Sequence, residues 1–374
     1  MKTDKWVCVT DFTMNKGPVS ILPPLRIAES SMNQGRAIRL SDVECLDVIP
    51  MVKCTGEDVV DRYEALFERV GYPSAFLQDQ GKNLGTASTL LNARRALKDL
   101  KPIPVILDLG HYSATLVKKE FKDQELVKKL LEKLSEFNLK LRMTKCSFLC
   151  GPKSRSAGRY MGYMKQVLRW LFYLKKLSFA PGNPIEGTVR HLILCLFPDL
   201  RQTLRKLSGF IEVTEVEEFL LTRLKNEGLS AKTYYEVRRK LLELPENHFY
   251  RIGMLEWLHS TWQIRKTMGI TGALTVSSDI IETANGCWKQ LTERMPSNET
   301  TALVLAFPTF CGSATQEELS ALIRSTPLKE VKQWSEKRVP ITQRKLKNFN
   351  FHADTLLSEI DQLFSSCTAD MEPC

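Results

Sequence analysis

Residues 71–121 hold GYPSAFLQDQGKNLG (71–85), a helical run to Lys101, and KPIPVILDLGHYSATLVKKEF (101–121). Twice an apolar run ends on an aspartate that is followed two residues later by a glycine: Phe76-Leu77-Gln78-Asp79 and Val105-Ile106-Leu107-Asp108. Each run has strand length, and an amphipathic stretch of helical period follows it. Two consecutive β-α units of this kind imply parallel strands joined by right-handed crossovers. Side chains at the carboxyl ends of such strands line the crevice where chemistry sits. An acid at a buried strand tip is costly unless a cation or hydrogen bonds compensate it.

Upstream, Lys5 to Phe12 alternates as a strand ending near Asp11, and Pro18 to Ile27 and Asp42 to Cys54 predict two more strands, the middle one made irregular by Pro23-Pro24. Thr55-Gly56-Glu57-Asp58 has the composition of a helix start, with a capping threonine and acids in the first turn. The helix it opens carries Val59, Val60, Tyr63, Leu66, Phe67 and Val70 as one apolar stripe. The order is three strands, then helix, strand, helix, strand, helix. In that topology the strands of Asp11 and Asp79 can lie side by side.

Beyond Asp123 helical periodicity dominates to about Met268, punctuated by Gly151-Pro152, Pro181-Gly182-Asn183-Pro184, Gly228 and Pro245. After Thr271-Gly272, SSDIIETANGCWKQL opens a further amphipathic helix with a serine cap and early acids. The expected divisions are residues 1–122, an α/β core; 123–270, a helical and basic insertion; 271–345, completion of the core; and 346–374, a tail partly disordered by composition.

The 374 residues suffice for a large core. Lys plus Arg number 53 against 43 Asp plus Glu, a net charge of +10. Between Leu141 and Arg190 stand ten basic residues and one acid, Glu186, nearly the whole excess. Such a patch points to a polyanionic partner such as nucleic acid, or to an anionic membrane surface, against the alternative of a solvated helical face. No apolar run reaches the roughly 20 residues of a membrane span, and the start, MKTDKWVCVTDF, is not a secretory leader. Ten cysteines without paired short spacings suit reduced thiols in the cytoplasm. QGKNLGT lacks the spacing of a phosphate loop.

GRAIRLSDVECLDVIPMVKCTGEDVV, VGYPSAFLQDQGKNLGTA, DLGHYSATLVKKEF and SSDIIETANGCWKQL, in that order, resemble bacterial insertion-sequence transposases of the DDE class. The basic GPKSRSAGRYMGYMKQVLRW and the later LVLAFPTFCG are also similar, so the likeness runs from about Trp6 to Trp334. The resemblance implies an RNase H-like mixed five-stranded sheet flanked by helices and interrupted by a large all-helical insertion. It implies catalytic acids Asp11, Asp79 and Glu282, with Asp108 as a further metal ligand and His111 matching a pattern of less defined role. The metal would be Mg2+ or Mn2+, and the partner DNA, both element ends and target, bound in part by Lys153, Arg155, Arg159, Lys165 and Arg169. A nucleoid-associated cytoplasmic protein, capable of homo-oligomerisation, follows by the same analogy. Relatives carry an N-terminal DNA-binding region where this chain begins near its first strand. They also differ at ETANGCWK. Those departures support an alternative, an inactive or truncated DNA-binding remnant; a nuclease on the same fold is a third reading.

The chemistry explains why such acids would gather. Two divalent ions about 3.5–4 Å apart can activate a nucleophile and stabilise the leaving oxygen of a phosphodiester. Magnesium takes hard oxygen ligands. Carboxylates 4 Å apart repel by about 4 kcal/mol at an effective dielectric near 20, so a cluster of three makes sense around a cation and little sense as scaffolding. Read singly, Asp11 is a turn or cap residue, Glu282 a first-turn helix acid, Asp108 a cap for the helix that follows, and His111 a structural histidine. Trp170, Trp257 and Trp262 fall in helical stripes and are expected in the core.

Overall fold

The computed structural model describes residues 5–338, apart from 13, 17–18, 33, 52–53, 80, 122–123, 145, 154–159, 179–188, 294–302 and 313–314. The described residues form two compact units: those within 1–108, 224–230 and 261–338, built on β-sheet, and those within 109–223 and 231–260, entirely helical. The expected tail, 346–374, lies outside the described residues.

In the sheet unit, β1 (Trp6–Thr10), β4 (Leu25–Ala28), β5 (Val43–Cys45), β7 (Ala75–Gln78) and β8 (Val105–Leu107) form a mixed five-stranded sheet in the order β5-β4-β1-β7-β8. β1 pairs antiparallel with β4 and parallel with β7, and β7 pairs parallel with β8. The two β-α units therefore give the parallel strands that their periodicity predicts. Every residue of β1 and β7 is buried, as a central strand covered on both faces requires.

The two upstream strands fold differently from the expectation. Pro23-Pro24 cannot donate ladder hydrogen bonds, and the run breaks there into β3 (Val19–Leu22) and β4. The stretch from Asp42 likewise breaks into β5 and β6 (Ile49–Met51). β3 and β6 join β2 (Met14–Lys16) in a separate three-stranded antiparallel sheet, β2-β3-β6, which the sequence reading did not contain.

Helix α1 (Glu29–Met32) follows β4, and α2 (Gly56–Val70) begins at Thr55, whose Oγ1 accepts the Asp58 N–H while the Asp58 carboxylate accepts the Thr55 N–H. The α2 stripe packs on β7: Tyr63 stacks on Phe67 and Phe76 with centroids 5.4 Å apart in both pairs. Trp6, Cys8, Leu22, Ile49 and Met51 close the same core against α3 (Lys82–Ala96).

The helical unit comprises α4 (Leu109–Phe121), α5 (Glu125–Leu141), α6 (Tyr160–Ser178), α7 (Val189–Leu196), α8 (Leu200–Lys206), most of α9 (Ser208–Glu227), α10 (Ala231–Leu242) and the first part of α11 (Phe249–Met268). Phe121 meets Phe210 edge-on at 4.9 Å, and Trp170 packs on Phe137 and Phe197 while its Nε1 donates to the Leu149 carbonyl. Trp170 and Trp257 are buried, as expected of core residues. A polar knot lies among these helices: the Glu217 carboxylate accepts from Ser113 Oγ at 2.8 Å and lies 2.7 Å from Lys165 Nζ, with Tyr250 Oη 2.9 Å from Ser113 Oγ.

The chain completes the sheet unit with α12 (Asp279–Glu293), a 3-10 segment Leu303–Phe310, α13 (Gln316–Ser325) and α14 (Leu328–Arg338). No helix among the described residues is long and apolar enough to cross a membrane.

Candidate active site at the strand ends

Asp11 and Asp79 directly follow β1 and β7, whose last residues, Thr10 and Gln78, are register partners in a parallel pair. Asp108 occupies the corresponding place after β8: Gln78 pairs with Leu107, and the Asp108 N–H donates to the Gln78 carbonyl at 2.9 Å. Three carboxylates thus stand at the carboxyl ends of three adjacent parallel strands. Beneath two of them lies a layer of satisfied polar groups. Tyr63 Oη donates to Thr10 Oγ1 at 3.0 Å, and Ser88 Oγ donates to Gln78 Oε1 at 3.0 Å. Burial pushes the Tyr63 phenol pKa well up, with the Cys8 thiol and then Asp11 adding to that shift, so the hydroxyl stays protonated as a donor.

The three acids differ in surroundings. Asp11 and Asp79 are half-buried. Asp79 Oδ1 accepts the Gly81 N–H at 2.8 Å, an Asx-type turn that orients the carboxylate at the strand tip. A Cβ at position 81 would come within 2.7 Å of that same oxygen, which gives the glycine a steric reason. Asp108 is 2% exposed, and its Oδ2 accepts both the N–H and the Oγ–H of Ser278, at 2.6 and 2.9 Å. The sequence reading offered Asp108 as a cap or a ligand; the structure adds an anchor for the segment that opens α12.

That segment is held at several points. Leu229 and Leu274 exchange backbone hydrogen bonds at 2.7 and 3.0 Å, where Gly228 (φ 66°) leaves no room for a Cβ beside the Leu274 carbonyl. The Arg265 guanidinium donates to the carbonyls of Thr271 and Gly272, and Glu29 Oε1 accepts the Thr271 N–H. Asp279 pairs with Lys225. Glu282 follows in the first turn of α12, its side chain exposed, while Ile281, Ala284, Asn285 and Trp288 turn inward.

The donor chemistry of Asp11 and Asp79, hard carboxylate oxygens on neighbouring strand ends, fits a magnesium-like cation. The full ligand set drawn from the sequence is not gathered. Among the described residues no group of three or more His, Cys, Asp or Glu side chains is placed to hold one ion.

The basic residues separate in the same way. Lys153 and Arg169 are exposed. Lys165 is ion-paired with Glu217, whose side chain is 2% exposed, so its charge is balanced inside the helical unit. Arg155 and Arg159 lie outside the described residues. The sequence reading placed the tryptophans in the core and passed over Phe172 and Tyr173, which stand exposed on α6. Their offset from the buried positions Leu171 and Leu174 is the signal that would have found them. No family model matches this chain, and no curated protein matches it.

Proposed function

We propose that this chain is a metal-dependent DNA transposase, cleaving phosphodiesters and transferring strands through the acids at the sheet's carboxyl edge. The observation that carries the reading is the register of Asp11, Asp79 and Asp108 on adjacent strands of a sheet ordered β5-β4-β1-β7-β8. An antiparallel arm on one side of β1 and a parallel arm on the other is the arrangement expected of an RNase H-like core. The concentration of positive charge between Leu141 and Arg190 supports a polyanionic substrate.

In this reading Asp11 and Asp79 would hold the cation, with Glu282 in the first turn of α12 as the third acid. The bound cation would polarise the scissile phosphate and lower the pKa of the attacking water. Asp108 fixes the start of the glutamate helix through Ser278. Gly81 sets the Asp79 carboxylate. Exposed cations of the helical unit, Lys153 and Arg169 among them, bind phosphates without reading bases.

Nicking of supercoiled DNA with magnesium tests the reading. Asp11→Asn and Asp79→Ala should each abolish it; equal activity in wild type and Asp79→Ala would sink it. The exposed Glu282 carboxylate favours a second reading, a DNA-binding protein without catalysis. Calorimetric titration with manganese separates the two, because a pure binding module has no cation site that depends on both Asp11 and Asp79.

A further inference from the structure

A groove in the helical unit, about 440 Å³ in volume, is lined by Phe172 and Lys175 of α6, Arg201, Leu204 and Arg205 of α8, and Ile211 of α9. That volume lies in the range of small-molecule sites, roughly 300–1,000 Å³. Three of the six lining residues are cations and none is an acid. Phe172 is 43% exposed and Lys175 Nζ lies 5.9 Å from its ring centroid. The neighbouring Tyr173 is 42% exposed, and Arg169 and Lys176 are exposed beside them. Below this face Leu171 and Leu174 are buried at 0%, so the helix itself is anchored.

An apolar wall does not explain the cations. A duplex explains the cations alone, since its bases are stacked on one another and offer no face to an aromatic ring. A single strand offers both: phosphates for Lys175 and Arg205, and an open base face for Phe172. We propose that this groove binds single-stranded DNA, with Phe172 as a stacking platform. The identity of the polyanion rests on the DNA-acting reading above; the strand form is inferred from the groove.

The test measures binding by fluorescence anisotropy for the full chain with a labelled 20-nucleotide oligothymidylate and a 20-base-pair duplex, in EDTA so that no cleavage intervenes. Phe172→Ala should weaken single-strand binding about tenfold and leave duplex binding within twofold, which also shows the variant folded. Phe172→Trp should restore the single-strand affinity. Lys175→Gln with Arg205→Gln should flatten the salt dependence of single-strand binding. Equal losses on both DNAs, or no effect of Phe172→Ala, would overturn the proposal. So would binding to phosphatidylserine vesicles, lost in the double variant, with no DNA binding at all. If nicking proves independent of Asp79 while the Phe172 effect persists, the catalytic reading fails and the groove stands; the reverse pattern removes only the groove.

Discussion

Asp108 and Ser278, 170 positions apart in the chain, are joined through one carboxylate oxygen that accepts two hydrogen bonds, at 2.6 and 2.9 Å. Both residues are buried. The link ties the end of β8 to the start of the helix that carries Glu282, and so couples two parts of the proposed site.

Removing Asp108 leaves two buried donors of Ser278 without their acceptor. Asp108→Ala should therefore cost about 2–3 kcal/mol, read as a lower urea midpoint with unchanged slope in metal-free buffer. Asp108→Asn keeps a carbonyl acceptor and should cost less. A residue serving only as a cation ligand would leave metal-free stability unchanged, or raise it by relieving repulsion.

Lys165 and Arg169, one helical turn apart on α6, should behave as opposites. Lys165→Ala strands the Glu217 carboxylate, 2% exposed, without its cation; breaking such a buried pair costs about 3–5 kcal/mol. Arg169→Ala should change stability by less than about 0.5 kcal/mol while weakening DNA binding and reducing its salt slope by about one. Thermal denaturation and a salt titration of DNA affinity measure both.

How much of the fold and of the candidate site is legible in the sequence depends on the range of the interaction involved. The β-α units, the Thr55 cap and the strand-end acids are local patterns, and periodicity with turn chemistry suffices to place them. The split of residues 18–54 between two sheets is decided by which distant strand completes each ladder, and Pro23-Pro24 marks the break without naming the partners. The anchoring of Ser278 on Asp108 has no local signature. Neither has the pairing of Lys165 with Glu217, so a count of cations credits DNA with a charge that the helical core already uses. Exposed Phe172 and Tyr173 were obscured by the hydrophobic stripe beside them.

His248 gives the helical unit a pH dependence. Burial lowers its pKa from the ordinary value of 6.5, against the opposing pull of Glu212 and Glu120, and its Nδ1 accepts the Tyr250 N–H at 3.2 Å, which requires the unprotonated ring nitrogen. The folded state thus binds this proton less readily than the unfolded chain. The contribution is fully present above the unfolded value near 6.5 and is lost as pH falls through the lower folded value. Denaturant midpoints measured from pH 7.5 to 5 should decline for the wild type, and more shallowly for His248→Ala.

Gly81→Ala probes the orientation of Asp79 without removing it. The new Cβ would press on Asp79 Oδ1, 2.7 Å from where it would sit, and that oxygen is the acceptor of the Gly81 N–H. The carboxylate is the movable partner, so it should rotate away and give up the turn hydrogen bond, at a stability cost of about 1 kcal/mol. Phosphodiester chemistry is more sensitive than stability to such a displacement, because a shift of about 1 Å in a reacting geometry can cost a hundredfold. Magnesium-dependent nicking should therefore fall at least tenfold in Gly81→Ala while DNA affinity in EDTA stays within twofold of wild type. Undiminished nicking would mean that the Asp79 carboxylate does its work in an orientation unrelated to this turn.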